Sequence, residues 1–217
     1  MFHVKHDSPT QTPPAPELAR GVFSDALPVA ERFAALLATE ATLRGLIGPR
    51  EVPRLWERHL VNCALVTDLV PESASVCDIG SGAGLPGIVM AIRRPDLSVT
   101  LVEPLLRRTT FLDEAVARLG LGNVEVVRAR AEAVHGTRTF DVVTSRAVAP
   151  MVRLSEWSLP LVRTGGLFLA MKGSSVQAEL DAAMSAIRSG GARLDEVVVL
   201  GDDLIEPPVR VVRVVKE

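Results

Sequence analysis

Val76-Cys77-Asp78-Ile79-Gly80-Ser81-Gly82-Ala83-Gly84-Leu85-Pro86-Gly87 reads as a buried strand that runs into a glycine-crowded turn and then opens a helix. Four glycines over eight positions let the backbone take positive φ and let a small molecule approach main-chain atoms with no Cβ in the way. Strand, tight turn and helix in that order form the first βα unit of a doubly wound α/β sheet, where ligands sit outside the carboxyl ends of the strands.

Two ligands compete for such a turn. Gly82-Ala83-Gly84-Leu85-Pro86-Gly87 satisfies the dinucleotide spacing G-x-G-x-x-G, with Glu103 about 20 residues on to hold a ribose. A pyrophosphate, however, wants free N–H groups and a positive helix end. Here Asp78 stands two residues before the first glycine, and Pro86 removes an N–H. Both features favour S-adenosylmethionine, which brings an ammonium and a sulfonium near the turn and ribose hydroxyls that an acid ending the second strand can accept.

The chain has 217 residues, 47% hydrophobic and 23% charged, which suits one enzyme-sized soluble domain. No apolar run reaches the roughly 18 residues that span a bilayer. The first residues lack an apolar segment of signal-peptide type, so the expectation is a cytoplasmic protein with no membrane partner. Cys63 and Cys77 fall on a predicted helix and a predicted buried strand and read as packed thiols, outside any metal-ligand spacing. No metal is expected, and the chain is expected to be a monomer. A net charge of -2 lacks the basic footprint of a dedicated nucleic-acid domain. Nearly all the positive charge is nonetheless arginine, with only Lys5, Lys172 and Lys216 as lysines. Arginine forks onto phosphates and stacks on bases better than lysine does.

Residues 1–16, rich in proline, serine and threonine, read as a loose tail. Residues 17–217 read as one domain, with N-terminal helices over 17–72 and an α/β core over 73–217. Apolar residues recur at helical spacing over 28–46 and 52–69. Strands are predicted at 75–79, 98–103, 123–127, 140–145, 166–171, 194–200 and 209–215, with helices at 85–94, 107–119, 149–162 and 175–189. No helix separates the last two strands, which should therefore pair antiparallel at one edge. A seven-stranded, mostly parallel sheet with a reversed last strand is common in Rossmann-like class I S-adenosylmethionine-dependent methyltransferases. The six-stranded dinucleotide fold lacks it.

In this architecture the ligand-facing residues lie just past the strand ends. Glu103 ends the second strand and can take both ribose hydroxyls with its two oxygens. Ala131 and Glu132 follow the third strand, where they can frame the adenine edge. Val142-Val143-Thr144-Ser145-Arg146 delivers an arginine directly from a buried strand to the same rim. Its candidate partners are the carboxylate side of the cofactor, a nucleic acid, or Asp141 or Glu132 as a structural pair. Lys172 leaves the fifth strand in the same way. Arg50, Arg54 and Arg58 would lie on one α-helical face, and with His59, Arg107 and Arg108 they form a plausible phosphate-tracking surface.

Absences narrow the chemistry. There is no Asn-Pro-Pro-Tyr loop after the fourth strand to grip an exocyclic amine, no cysteine placed to attack a pyrimidine ring, and no tyrosine in the chain. A ring nitrogen with its own lone pair, such as guanine N7, needs neither a nucleophile nor a base, only alignment with the sulfonium. No residue is assigned as the chemical catalyst.

The run Asp78 to Gly87, followed by Glu103, Arg107-Arg108, Phe111-Leu112, Arg130-Ala131-Glu132, Ser145-Arg146-Ala147, Gly165-Gly166 and Met171-Lys172-Gly173, resembles the glucose-inhibited division protein B family (GidB, RsmG), the bacterial 16S rRNA guanine-N7 methyltransferases. The resemblance covers residues 30–217. It implies that Gly80, Leu85, Ala131, Glu132 and Arg146 contact S-adenosylmethionine, with Gly82 in the same loop and Glu103 nearby. It further implies that the substrate is a guanosine in the decoding-region hairpin of 16S rRNA, presented as naked RNA or in a small-subunit particle. Arg58-His59 matches the family's Arg-His pair and belongs, with Arg107, Arg108 and Lys172, to the expected substrate contacts. The family usually continues with Asp-Ser, where this chain has Asn62-Cys63. Alternatives are a small-molecule methyltransferase of the same fold, or an RNA-binding protein without catalysis.

Overall fold

The computed structural model describes residues 12–146 and 148–217. The N-terminal part is helical. It comprises α1 (Glu17–Phe23), α2 (Leu27–Leu36) widening into a π-helical turn at Leu37–Ala41, a 3-10 stretch at Pro49–Arg54, a π-helical stretch at Leu55–Val61, and α3 (Asn62–Leu65). The remainder alternates: β1 (Ser75–Ile79), α4 (Gly87–Arg93), β2 (Ser98–Val102), α5 (Leu106–Leu119), β3 (Val124–Val127), β4 (Phe140–Arg146), α6 (Met151–Ser158), β5 (Val162–Lys172), α7 (Val176–Ser189), β6 (Ala192–Leu200) and β7 (Val209–Lys216).

The strands form a single sheet in the order β3-β2-β1-β4-β5-β7-β6. β1 runs parallel to β2 and β4, while β7 runs antiparallel to both β5 and β6. The reversed last strand is thus present, one place in from the edge, and β6 takes the edge itself. Chain order reverses between β1 and β4, so a crevice opens at their carboxyl ends, the usual ligand position of a doubly wound sheet.

Alternation along the strands divides the core in two. Val76, Val142, Leu169 and Val211 face one side, where they pack with Ile88, Met90, Phe111 and Leu112 and with Phe33, Leu55, Trp56 and Leu60 of the N-terminal helices. Cys77, Val143, Phe168 and Val212 face the other side and meet Leu154, Leu180 and Ile187 from α6 and α7. The N-terminal helices therefore share a core with α4 and α5. Of the stretch expected to be a tail, residues 1–11 lie outside the described residues. Pro13 accepts a hydrogen bond from Trp56 Nε1 at 2.9 Å, and Ala15 packs on the core.

Two expected boundaries move. The helix predicted over 149–162 closes at Ser158, because Pro160 cannot donate to the helical ladder and the chain tightens into a 3-10 turn at Leu159–Leu161. β5 then begins at Val162, which pairs with Phe140. The strand predicted to start at Gly166 thus starts four residues earlier, and Gly165 and Gly166 sit inside it, at a bulge where the register shifts between Phe140 and Val142. The expected α-helical stripe of Arg50, Arg54 and Arg58 is also corrected. Pro49–Arg54 is a 3-10 stretch and Leu55–Val61 a π-helical one. At three residues per turn, Arg50 and Arg54 point about 120° apart.

Candidate functional site

The turn after β1 is built around backbone positions that exclude a side chain. Gly80 has φ +67°, and a Cβ there would lie 2.8 Å from Val148 Cγ2. Its N–H reaches across to the carbonyl of Val102 at 2.8 Å, which pins the end of β1 to the end of β2. At Gly87 a Cβ would meet Leu101 and would stand 2.8 Å from Asp78 Oδ2. This closeness lets the Gly87 N–H donate to Asp78 Oδ2 at 3.0 Å. The loop is thereby folded back over the strand it leaves.

Two buried acids lie against this loop. Glu103, 1% exposed, accepts Gly82 N–H at Oε2 (3.1 Å) and Leu105 N–H at Oε1 (3.1 Å), with Arg108 Nη1 3.3 Å from Oε2. The protein already occupies both oxygens, so one ribose hydroxyl can join at Oε1 and the second must compete with Arg108. Asp78 is fully buried, and its Oδ1 has no partner among the described residues. Burial pushes its carboxyl up to about 7. A buried carboxyl oxygen without a donor fits a cationic, hydroxyl-bearing ligand such as S-adenosylmethionine and opposes a pyrophosphate.

Beside the loop a cavity of about 280 Å³ is walled by Ile79, Gly80, Val102, Pro104, Ala131 and Trp157, with Glu132 and Val148 at its edge. Gly80, Ala131 and Glu132 thus come together as expected, and Glu132 is exposed at the rim. Gly82 contributes through its N–H bond to Glu103. Leu85 turns its buried side chain into the core, and its N–H binds Ser81 O at 3.1 Å. Any part it takes in ligand binding is therefore played by its carbonyl. Trp157 and Val148 are wall residues that sequence reasoning missed. Val148 is two residues beyond Arg146 at the strand exit, and that position was the available signal.

Arg146 has neither of the acidic partners considered for it. Asp141 is held by Ser75 and Arg163 instead. The Arg146 Nη2 donates to the Arg58 carbonyl at 2.9 Å and meets His59 Nδ1 at 2.8 Å, and Nη1 reaches Cys63 Sγ at 3.2 Å. His59 Nε2 in turn lies 3.0 Å from Glu51 Oε2. Burial, reinforced by the positive charge of Arg146, pushes the His59 imidazole down to about 4. The ring is neutral at physiological pH. Cys63, read in sequence as a packed thiol, is buried but also accepts from Arg146. Burial raises its thiol, which stays protonated.

Arg146 and Arg58 open onto a second cavity, of about 670 Å³, bordered also by Asn62, Met171, Lys172, Pro207 and Arg210. Val148 lines this cavity as well as the smaller one. Lys172, expected on the substrate, is nearly buried and bonds Ala149 O at 2.8 Å and Glu179 Oε2 at 2.7 Å. Arg107 is exposed, and Arg108 divides its charge between solvent and Glu103. Among the described residues no cluster of histidine, cysteine or acidic side chains could hold a metal, and no helix is long and apolar enough to cross a membrane.

Comparison with known proteins gives a consistent result. The family model described as rRNA small subunit methyltransferase G matches residues 27–205. Ribosomal RNA small subunit methyltransferase G of a Nocardioides species is 61% identical over 210 residues, which cover 96% of this chain and 84% of that one. The protein of the same name from Thermobifida fusca is 56% identical, covering 91% of this chain and 84% of that one. In fold the chain is similar to Aeropyrum pernix fibrillarin, solved in complex with S-adenosyl-L-methionine, with a TM-score of 0.55 at 19% identity over 70% of this chain and 73% of that one.

Proposed function

The chain belongs to the rRNA small subunit methyltransferase G family, and we propose that it transfers the methyl group of S-adenosylmethionine to N7 of one guanosine in the 530-loop hairpin of 16S rRNA. The observation that carries this reading is the pair of cavities meeting at Val148. One is small and largely apolar, lined by Val102 and Pro104, the chain neighbours of Glu103. The other is of a size to admit an extruded nucleoside and is bordered by Arg58, Arg146 and Arg210.

When bound, S-adenosylmethionine supplies an electrophilic methyl on a sulfonium. Glu103 would accept from the ribose, Ile79, Val102 and Ala131 would wall the adenine side and exclude water, and Asp78, when ionised, would supply negative charge to the cationic ligand. Arg146 borders the larger cavity, two residues before Val148, which lines both. Three of its five N–H groups are taken by Arg58, His59 and Cys63, leaving two for a ligand. Guanine N7 carries a free lone pair at neutral pH, so the protein contributes alignment and desolvation rather than a base. The chemical step is therefore flat between about pH 6.5 and 8.5. Arg58 and Arg107, with their exposed guanidinium groups, supply phosphate contacts.

Methyl transfer from labelled S-adenosylmethionine to naked 16S rRNA and to small subunits, with the modified base mapped by cleavage at N7-methylguanosine, tests the reading. A single labelled guanosine in the decoding-region hairpin is expected. Donor binding without labelling of either RNA form would shift the assignment to a small-molecule acceptor.

A further inference from the structure

Glu51 is absent from every motif in the sequence, yet it ends the chain of contacts that fixes Arg146. An arginine is always charged and can only donate. The ring nitrogen of His59 that faces Arg146, Nδ1 at 2.8 Å, must therefore carry a lone pair. The ring proton then sits on Nε2, 3.0 Å from Glu51 Oε2. One tautomer in one ring orientation satisfies both neighbours. A 180° turn of the ring would bring carbon atoms to both contacts. We propose that Glu51 is a positioning residue for methyl transfer: by accepting the His59 Nε2 proton it locks the imidazole with Nδ1 toward Arg146, which in turn aims the remaining N–H groups of Arg146 at the reaction centre. This rests on the proposed reading of the larger cavity, which Arg146 borders, as the acceptor site.

The arrangement makes the carboxylate's role that of an acceptor rather than a counter-ion. Glu51 Oε2 also lies 3.6 Å from Arg58 Nη1, an exposed contact that is weak in water. The His59 contact is the sheltered one, since the imidazole is 11% exposed. Removal of the acceptor would leave a sheltered N–H without a partner, and the ring gains by rotating to find one. Arg146 would lose its nitrogen ligand and keep only the Arg58 carbonyl and the Cys63 sulfur.

Nitrogen-15 NMR of histidine-labelled protein, with methyl-transfer kinetics and thermal unfolding of Glu51→Ala and Glu51→Gln, tests this. The wild-type His59 signal is expected to show a hydrogen-bonded proton on Nε2 and an unprotonated Nδ1, and Glu51→Ala is expected to lose that proton signal. Glu51→Ala should lower kcat/KM about 10-fold, the equivalent of one lost hydrogen bond. Glu51→Gln, which still offers an oxygen to Nε2, should recover to within about threefold of wild type, a rescue that a counter-ion role would not allow. A proton on Nδ1 in the wild type, or full activity in Glu51→Ala, would overturn the proposal. The NMR result depends on the chain alone, so failure of the rRNA assignment would show separately, as no transfer by the wild-type protein.

Discussion

Lys172 donates its ammonium to the carbonyl oxygen of Ala149, 2.8 Å away, from a side chain only 8% exposed. The same ammonium holds Glu179 Oε2, which accepts the Met151 N–H at 3.2 Å. The end of β5 and the first turn of α7 are thus tied to the segment between β4 and α6 that carries Val148. Because Val148 lines both cavities, the tie holds the segment on which the two cavities meet. A lysine spent in this way has little charge left for RNA.

Lys172→Met is accordingly expected to destabilise the fold by about 1 kcal/mol, because the Ala149 carbonyl loses its donor and Glu179, partly exposed, keeps the Met151 N–H but loses its cation. It should reduce methyl transfer while leaving the salt dependence of RNA binding unchanged. Binding titrations at several salt concentrations check this. A salt slope lowered by about one would show that Lys172 touches phosphate after all.

Arg58→Ala and Arg107→Ala should behave in the opposite way. Arg58 is roughly half exposed at the mouth of the larger cavity, and Arg107 is exposed at the start of α5. Each substitution is expected to weaken RNA binding and to lower the salt slope by about one, with unfolding unchanged to within about 0.5 kcal/mol. The same titrations, run beside thermal melts, would show a failed assignment as an unaltered slope.

What could be read in the sequence, and what could not, follows from the range of each interaction. β1 and β4 each carry adjacent apolar residues, Val76-Cys77 and Val142-Val143, because both faces of a central parallel strand are covered, and such pairs are visible in one dimension. The Gly80 turn is equally visible, since its backbone demands glycine locally. The N-terminal apolar spacing announces helices but cannot separate α from 3-10 or π winding, which neighbouring elements decide. Hence Arg50, Arg54 and Arg58 form no α-helical stripe. Arg146 was legible as a strand-exit cation, yet its partner His59 lies 87 positions away and Glu51 another 8 beyond that. Only the packing of the π-helical stretch on the sheet joins them. Cys63 was legible as buried, while its contact with a guanidinium was not.

Gly80→Ala should weaken donor binding by about 10- to 100-fold. The added methyl faces Val148 at 2.8 Å, and φ +67° strains any L side chain. An overpacked, strained site of this kind costs about 1–3 kcal/mol. At Gly82 an added Cβ meets only the Gly80 carbonyl, at 3.8 Å, so Gly82→Ala carries the backbone strain without the clash and should be the milder change. Calorimetric titration with S-adenosylmethionine ranks the two, and equal losses would count against Val148 as a wall of the donor cavity.

Asp78 makes the stability of the protein depend on pH in a direction opposite to that of most acids. Its carboxyl rises from 3.8 to about 7 on folding, chiefly through burial. Between those values the folded chain holds a proton that the unfolded chain has released. Stability must then fall as pH rises across that window, by at most about 1.4 kcal/mol per unit from this group, and level off above it. Asp78→Asn removes the titration and preserves an oxygen for the Gly87 N–H. Denaturant unfolding at intervals from pH 4.5 to 8 should show the wild type losing ground to Asp78→Asn as pH rises, with the gap constant beyond about pH 8. A cationic donor would favour the ionised form. Saturating S-adenosylmethionine should therefore narrow the gap for the wild type at high pH, whereas a difference independent of pH would mean that Asp78 is ionised throughout and already partnered.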